Sequence, residues 1–453
     1  MFGKRKDTVQ IDVETEKVLN NDMLENTSDE PLSRSEVAPN SMDSNNDKQN
    51  AEIQEIENPQ MKNEDRNSQE NDEKESFEKT WLLSMDDFGP LAKYIIDDDI
   101  TDIDWDCDSL WIRRATKRRE RVNDPEVTKD FIHNLIERVA IHESVPFNPK
   151  NKSFCAETDT LRITCIHEEL ANSGRCINIR KSLPRLRFTA QEALENRYTS
   201  EKIMSFIINC IKMQANIVFC GLPGCGKTEA TKFFSSFIPK YEKVITVEDQ
   251  KEWHYKSINP GADAIELKVK NSEDYEEAIM NALRLTPTWL MITEARSKEV
   301  EYLKEGMTTG VHCITTLHTD DVRKIPIRIV GMMGNNVDKK QETDELYMVL
   351  DLGIHLTIKE DSDGFIHREI DQICYYDKDL VTSENICYMI VDKGQLFEEN
   401  VPDKLRERIQ EAIHSDDIFS CKELREKISN NWQCRREVSG SLTPARIYGE
   451  EFK

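Results

Sequence analysis

Along residues 1–79 apolar positions follow no period, and Asn, Glu, Asp, Ser and Gln dominate, with roughly twice as many acids as bases. Such a stretch cannot bury enough apolar surface to offset the entropy of ordering, so it is expected to be a disordered acidic tail. Val9 to Leu24 is a weakly amphipathic piece that a docking role would use. At Trp81 the pattern changes. Ile103 and Trp105 alternate with Asp102, Asp104 and Asp106, and Leu110 to Ile112 follows after a short break, which predicts a hairpin. Phe131, Ile132, Leu135, Ile136 and Val139 share one helical face behind Thr128. Thr160 to Ile166 and Cys176 to Arg180 read as strands. This mixture predicts a small α+β domain over residues 80–182.

Residues 183–199, with Pro184, read as an interdomain linker in which Thr189 and Glu192 form a capping box. A helix from Ser200 buries Ile203, Phe206, Ile207 and Ile211 and delivers the chain to an apolar strand, Ile217 to Cys220. Strands and helices then alternate. Strands Lys243 to Glu248, Trp289 to Thr293 and Val311 to His318 are separated by a helix through Tyr275, Ala278, Ile279 and Ala282, stopped by Pro287, and by one through Val300 and Leu303. Short apolar strands spaced by helices predict an α/β domain with a mostly parallel sheet over residues 200–380. A hairpin pairs Leu356 to Lys359 with Phe365 to Ile370 across Asp363-Gly364. Residues 381–453 read as a C-terminal helical extension without a motif.

The chemistry enters at the first strand of that sheet. Ile217 to Cys220 runs into GLPGCGKT and then a helix, and the loop satisfies G-x-x-x-x-G-K-[ST] with Gly221, Gly226, Lys227 and Thr228. Glycines, Gly224 included, let backbone N–H groups turn inward around phosphates, and the following helix adds the partial positive charge of its N-terminus. Lys227 would reach the β- and γ-phosphates of ATP, and Thr228 would sit on Mg²⁺. Pro223, Cys225 and Glu229 complete the candidate nucleotide-binding set. In an open parallel sheet catalytic groups collect at the carboxyl ends of the strands. Those ends carry Glu248 and Asp249, Glu294 and Arg296, and His318. Carboxylates there can hold Mg²⁺ through water and orient an attacking water, and a polar group can sense the γ-phosphate.

Composition narrows the class. A net charge of −25 over 453 residues argues against direct nucleic-acid binding, which calls for a basic surface. Twelve cysteines include no C-x-x-C pair, so neither a zinc ribbon nor a disulfide framework is indicated and a reduced, cytoplasmic chain is expected. No apolar run approaches the length of a membrane span.

The chain resembles the secretion and pilus-assembly ATPases of type II and type IV secretion systems, nearest their conjugation and tight-adherence (CpaF-like) branch. The likeness rests on GLPGCGKT as Walker A, VITVEDQKEW as the Asp box, ALRLTPTWLMITEAR leading through Walker B, and TTLHTDD as the His box. It extends from TDIDWDCDSLWIRR, ETDTLRITCIHEEL and RCINIRK to LGIHLTIKEDSDGFIHREI. The resemblance implies a RecA-like P-loop domain behind a PAS-like domain, assembled as a homo-oligomeric, hexameric ring. Such a ring would be peripheral at the inner face of the cell membrane and do work on inner-membrane platform or channel proteins. It further implies that Glu294 polarises the attacking water, that Glu248 and Asp249 support metal and water, and that His318 senses the γ-phosphate. Arg162 and Arg180 would reach the phosphates from the N-terminal domain, a task suited to a fixed guanidinium. The sequence departs from the family at Thr293 and Ser297, where glycines are usual, at Thr286, and at Glu229. A bulkier Thr293 beside Glu294 could displace the water and slow turnover. Two rivals follow: a nucleotide-binding ring that scaffolds or regulates with little turnover, and a small-molecule P-loop kinase, which the N-terminal domain with its two arginines does not favour.

Overall fold

A computed structural model describes residues 85–438 apart from 271, 297–298 and 335–336. The expected acidic tail of residues 1–79 and the departure at Ser297 lie outside the described residues.

The described chain forms two sheets. The first is six-stranded and antiparallel, in the order β3-β2-β1-β6-β5-β4. Its strands are β1 (Ile100–Trp105), β2 (Leu110–Arg114), β3 (Glu120–Val122), β4 (Ser153–Glu157), β5 (Leu161–Ile166) and β6 (Cys176–Lys181). The helix Lys129–His142, opened by Thr128 accepting the Phe131 N–H, lays Ile132, Leu135, Ile136 and Val139 on this sheet. The aspartates of the β1 alternation are used. Asp102 pairs with Arg180 and Asp104 with Arg119 and Asn178, so the polar face of β1 binds its neighbours.

The second sheet has nine strands in the order β15-β14-β13-β12-β7-β11-β10-β8-β9. They are β7 (Ile217–Cys220), β8 (Val244–Glu248), β9 (Ala264–Lys268), β10 (Trp289–Ile292), β11 (His312–Leu317), β12 (Leu352–Glu360), β13 (Ile366–Lys378), β14 (Asn385–Asp392) and β15 (Gln395–Leu396). β12, β7, β11, β10, β8 and β9 run parallel, and the last three strands add antiparallel. Ile217 and Phe219 point into one apolar cluster and Val218 and Cys220 into another. A strand covered on both faces needs this continuous apolar run rather than alternation.

Among the described residues beyond 380 the structure is not all helix. NICYMIVD forms β14, because its β-branched and aromatic residues pair along β13, and β15 returns across Gly394. The helices beyond are not peripheral. Leu405, Ile409, Ile418, Phe419 and Leu424 belong to the same core as Phe206 on the helix Glu201–Lys212, and the Phe206 and Phe419 rings stack at 5.6 Å. Asn209 donates from that buried helix face to the Ile418 and Ser420 carbonyls at 2.9 and 3.0 Å.

Candidate functional site

The phosphate loop occupies the carboxyl end of β7, with φ of +147° at Gly221, +82° at Gly224 and +94° at Gly226. A Cβ on Gly221 would stand 2.4 Å from the Leu356 carbonyl oxygen, so β12 closes against the loop too tightly for any side chain. The helix Lys227–Ser235 begins at Gly226, and its first N–H groups are free of side-chain caps. This leaves its amino end open toward the loop, the arrangement that binds anions.

Side chains from three strand ends meet there. Lys227 is buried, and its Nζ donates to the Gly221 carbonyl at 3.1 Å and lies 3.1 Å from His318 Nδ1. His318 Nε2 stands 3.0 Å from one oxygen of Glu294. Arg296 donates to the other oxygen at 2.7 Å and reaches Asp249 at 3.2 Å. The loop lysine, the third and fourth strand ends and the second are thereby joined in one polar chain. Burial lowers the Lys227 pKa, while Cys225 and Glu294 act against that shift. An ammonium desolvated in this way is stabilised by an incoming anion.

The carboxylate beside Thr228 was not singled out by the sequence. Thr228 Oγ1 donates to Glu252 Oε2 at 3.2 Å. Glu252 lies four residues past β8, and only its place inside VITVEDQKEW could have pointed to it. Glu248 departs from its expected role beside metal and water. It is buried, and one of its oxygens accepts the Glu252 and Trp253 N–H groups at 2.9 Å each. Burial pushes its pKa up to about 7, offset in part by those two N–H groups. Glu248 therefore shapes the turn that presents Glu252, because the strand period aims its side chain into the sheet rather than over its edge. Asp249 meets Arg296 instead of Thr228.

Arg162 and Arg180 are cross-strand neighbours on β5 and β6, and with Ser182 and Glu252 they line a small cavity of about 20 Å³ between the two sheets. Arg180 is held by Asp102 at 2.9 Å, and Ser182 Oγ donates to the Lys251 carbonyl at 2.8 Å. The arginines thus share this cavity with the turn that carries Glu252. The departures have local reasons. Glu229 turns to Arg187 at 3.4 Å and to Lys232 at 3.5 Å, while Lys232 donates to the Leu183 carbonyl. Thr293 is buried, and its carbonyl accepts from Thr316 Oγ1 at 2.6 Å. Thr286 and Arg284 are exposed and stand apart from the loop in sequence and contacts.

The family model described as "Type II/IV secretion system protein" matches residues 126–374, more than half of the chain. The chain belongs to that family. An uncharacterized protein of Bacillus anthracis is 30% identical over 261 residues, 57% of this chain and 59% of that protein. The type IV secretion system protein VirB11 of Bartonella quintana (strain Toulouse) is 30% identical over 210 residues, 45% of this chain and 55% of its own length. The chain thus spans a little over half the length of these curated relatives. Among solved structures, the Yersinia pseudotuberculosis ATPase DotB superposes with a TM-score of 0.50 at 15% identity, covering 80% of this chain and 92% of that one. This likeness is one of fold. The type II/IV secretion fold accounts for the parallel sheet, and no helix among the described residues is long and apolar enough to cross a membrane.

Proposed function

We propose that this chain hydrolyses ATP with Mg²⁺ as the motor subunit of a type IV secretion, conjugation or pilus-assembly machine. It would act as a hexameric ring docked peripherally at the cytoplasmic face of the membrane and push on platform or channel proteins there. The observation that carries the reading is the chain from Lys227 through His318 and Glu294 to Arg296 and Asp249, because it ties the phosphate-binding lysine to the carboxylate that would orient water. A hydrolase needs both groups at the same phosphoryl group. The relative named type IV secretion system protein VirB11 supports the kind of machine.

The residues fit Mg²⁺. Thr228 and Glu252 set two hard oxygen donors side by side, and no group of three or more His, Cys, Asp or Glu among the described residues could hold a metal, so phosphates and water would complete the shell. Bound Mg²⁺ would neutralise charge on the transferred phosphoryl oxygens. Lys227 would exchange the Gly221 carbonyl for phosphate, Arg162 and Arg180 would approach from the N-terminal sheet, and Glu294 would take up water once His318 turns to the γ-phosphate. Lys227 and the two arginines would then meet phosphate oxygens in charge-assisted hydrogen bonds.

A second reading is a nucleotide-binding ring that scaffolds with little turnover. It is favoured by Glu294, both of whose oxygens are already engaged, by His318 and by Arg296. Steady-state phosphate release from Mg-ATP across protein concentrations separates the two, with Glu294→Gln and Lys227→Ala as references. A motor gives release that rises more than linearly and collapses in both variants. Nucleotide binding with release no greater than that of Glu294→Gln would leave the scaffold.

A further inference from the structure

The turn between β12 and β13 leaves the large sheet and lies on the first one. The Ile366 N–H donates to the Thr116 carbonyl at 2.8 Å, and Phe365 and Lys117 form an antiparallel bridge. The Lys117 ammonium sits 4.8 Å over the Phe365 ring, and Arg118 pairs with Glu360. Two residues further along β13, Arg368 points back at the phosphate loop. Its Nε donates to the Gly224 carbonyl at 3.1 Å, its Nη1 donates to the Ala115 carbonyl, and its stem runs so close to Gly226 that a Cβ there would lie 3.3 Å from Cδ. Arg368 forms no salt bridge with a carboxylate among the described residues. It stands instead in reach of two further guanidinium groups, those of Arg187 and Arg113. A half-buried cation surrounded by like charges is costly unless its hydrogen bonds do something that a neutral side chain could not.

We infer that Arg368 is a positioning residue for the phosphate loop, tying the Gly224 carbonyl to the N-terminal sheet at Ala115 so that ATP affinity depends on the hairpin's grip on that sheet. The physical reason lies in the peptide plane. A planar trans peptide whose carbonyl is pulled outward by Arg368 directs the following N–H, that of Cys225, the other way, where it meets the Leu222 carbonyl at 3.2 Å. Gly224, with φ of +82°, leaves that plane free to turn on one side, so the Arg368 and Leu222 contacts are what fix it. Movement of the first sheet would pull on Ala115, Thr116 and Lys117 and reach the loop through one side chain. The inference rests on the reading of this loop as the ATP site, and it assigns the site a mechanical input.

The test is ATP affinity by calorimetry, with thermal melting alongside, for the full chain and for Arg368→Met, Arg368→Lys, Phe365→Ala and the Arg368→Met/Phe365→Ala pair. Arg368→Met should weaken ATP about tenfold, as expected for losing a charged hydrogen bond to the loop, and Arg368→Lys should recover part of the loss. Phe365→Ala changes an exposed residue that does not touch the loop. It should nonetheless weaken ATP severalfold, and the pair should lose less than the sum of the single changes. Unchanged affinity in a folded Arg368→Met, or full additivity with Phe365→Ala, overturns the inference. If Arg368→Met does not fold, unchanged affinity in Phe365→Ala overturns it alone. A natural chain that does not bind ATP fails at the underlying reading, and that failure is visible before any substitution is made.

Discussion

At the scale of single residues, the carboxylates of the second strand end divide their work by where the strand period aims them. Glu248 is buried, where desolvation raises its pKa to about 7 and two N–H groups of the following turn hold it. Glu252, four residues on, is the acid that faces Thr228. Glu252→Gln should therefore raise the Mg²⁺ concentration needed for half-maximal phosphate release by about 10–100-fold, within the range seen when a metal site loses a supporting group. Glu248→Gln should change it far less, and an equal effect would show that Glu248 reaches the metal after all. Glu294→Gln should lower the turnover number by about 10²–10⁴ with ATP binding retained, the usual range for a lost general base. Equal loss of binding in that variant would place Glu294 in nucleotide recognition instead. The motif residues were legible one by one, but Glu252 was not, because nothing in a string of acids says which of them the turn will present.

At the scale of elements, burial governs a residue on each sheet. Lys181 ends β6, is buried, and donates Nζ to the Asp97 carbonyl at 2.6 Å. Burial, followed by the nearby Arg187, holds its pKa down to about 8. Below that pH both folded and unfolded chains carry the proton and the folded chain bears the burial penalty in full. Between about 8 and the ordinary lysine value of 10.5 the folded chain sheds the proton first, so its stability rises with pH across that window. The Tm of the natural chain minus that of Lys181→Met should accordingly grow more positive from pH 8 to pH 10; a flat difference would mean the amine is solvated. On the other sheet, Phe206→Ala should cost about 3–5 kcal/mol in urea unfolding, because it empties the contact between the helix Glu201–Lys212 and Phe419. A cost below about 1 kcal/mol would mean that the last helices do not share this core. The alternation in β1 and the helical stripe at Phe131 to Val139 were readable because their period is local. β9 and β14 were not, since AIELK and NICYMIVD become strands only by finding an edge to extend.

At the scale of the whole molecule, a net charge of −25 opposes association of copies until salt screens it. Phosphate release per chain should thus rise with protein concentration, and rise further as ionic strength approaches 0.15 M, where the screening length falls to about 8 Å. Release strictly proportional to concentration at every salt would count against a ring-dependent motor. The sequence by itself determined the α/β class, the parallel strands, the phosphate loop and the acids and histidine at the strand ends, because strand period, glycine spacing and motif order are local properties that chain neighbours carry. Only the tertiary structure decided that Lys227, His318, Glu294 and Arg296 join into one chain, that Glu252 and not Asp249 meets Thr228, and that Arg368 ties the loop to the first sheet. Those contacts join residues brought together by strand order and by the turns between strands, and no local period specifies which side chains face one another across such a gap.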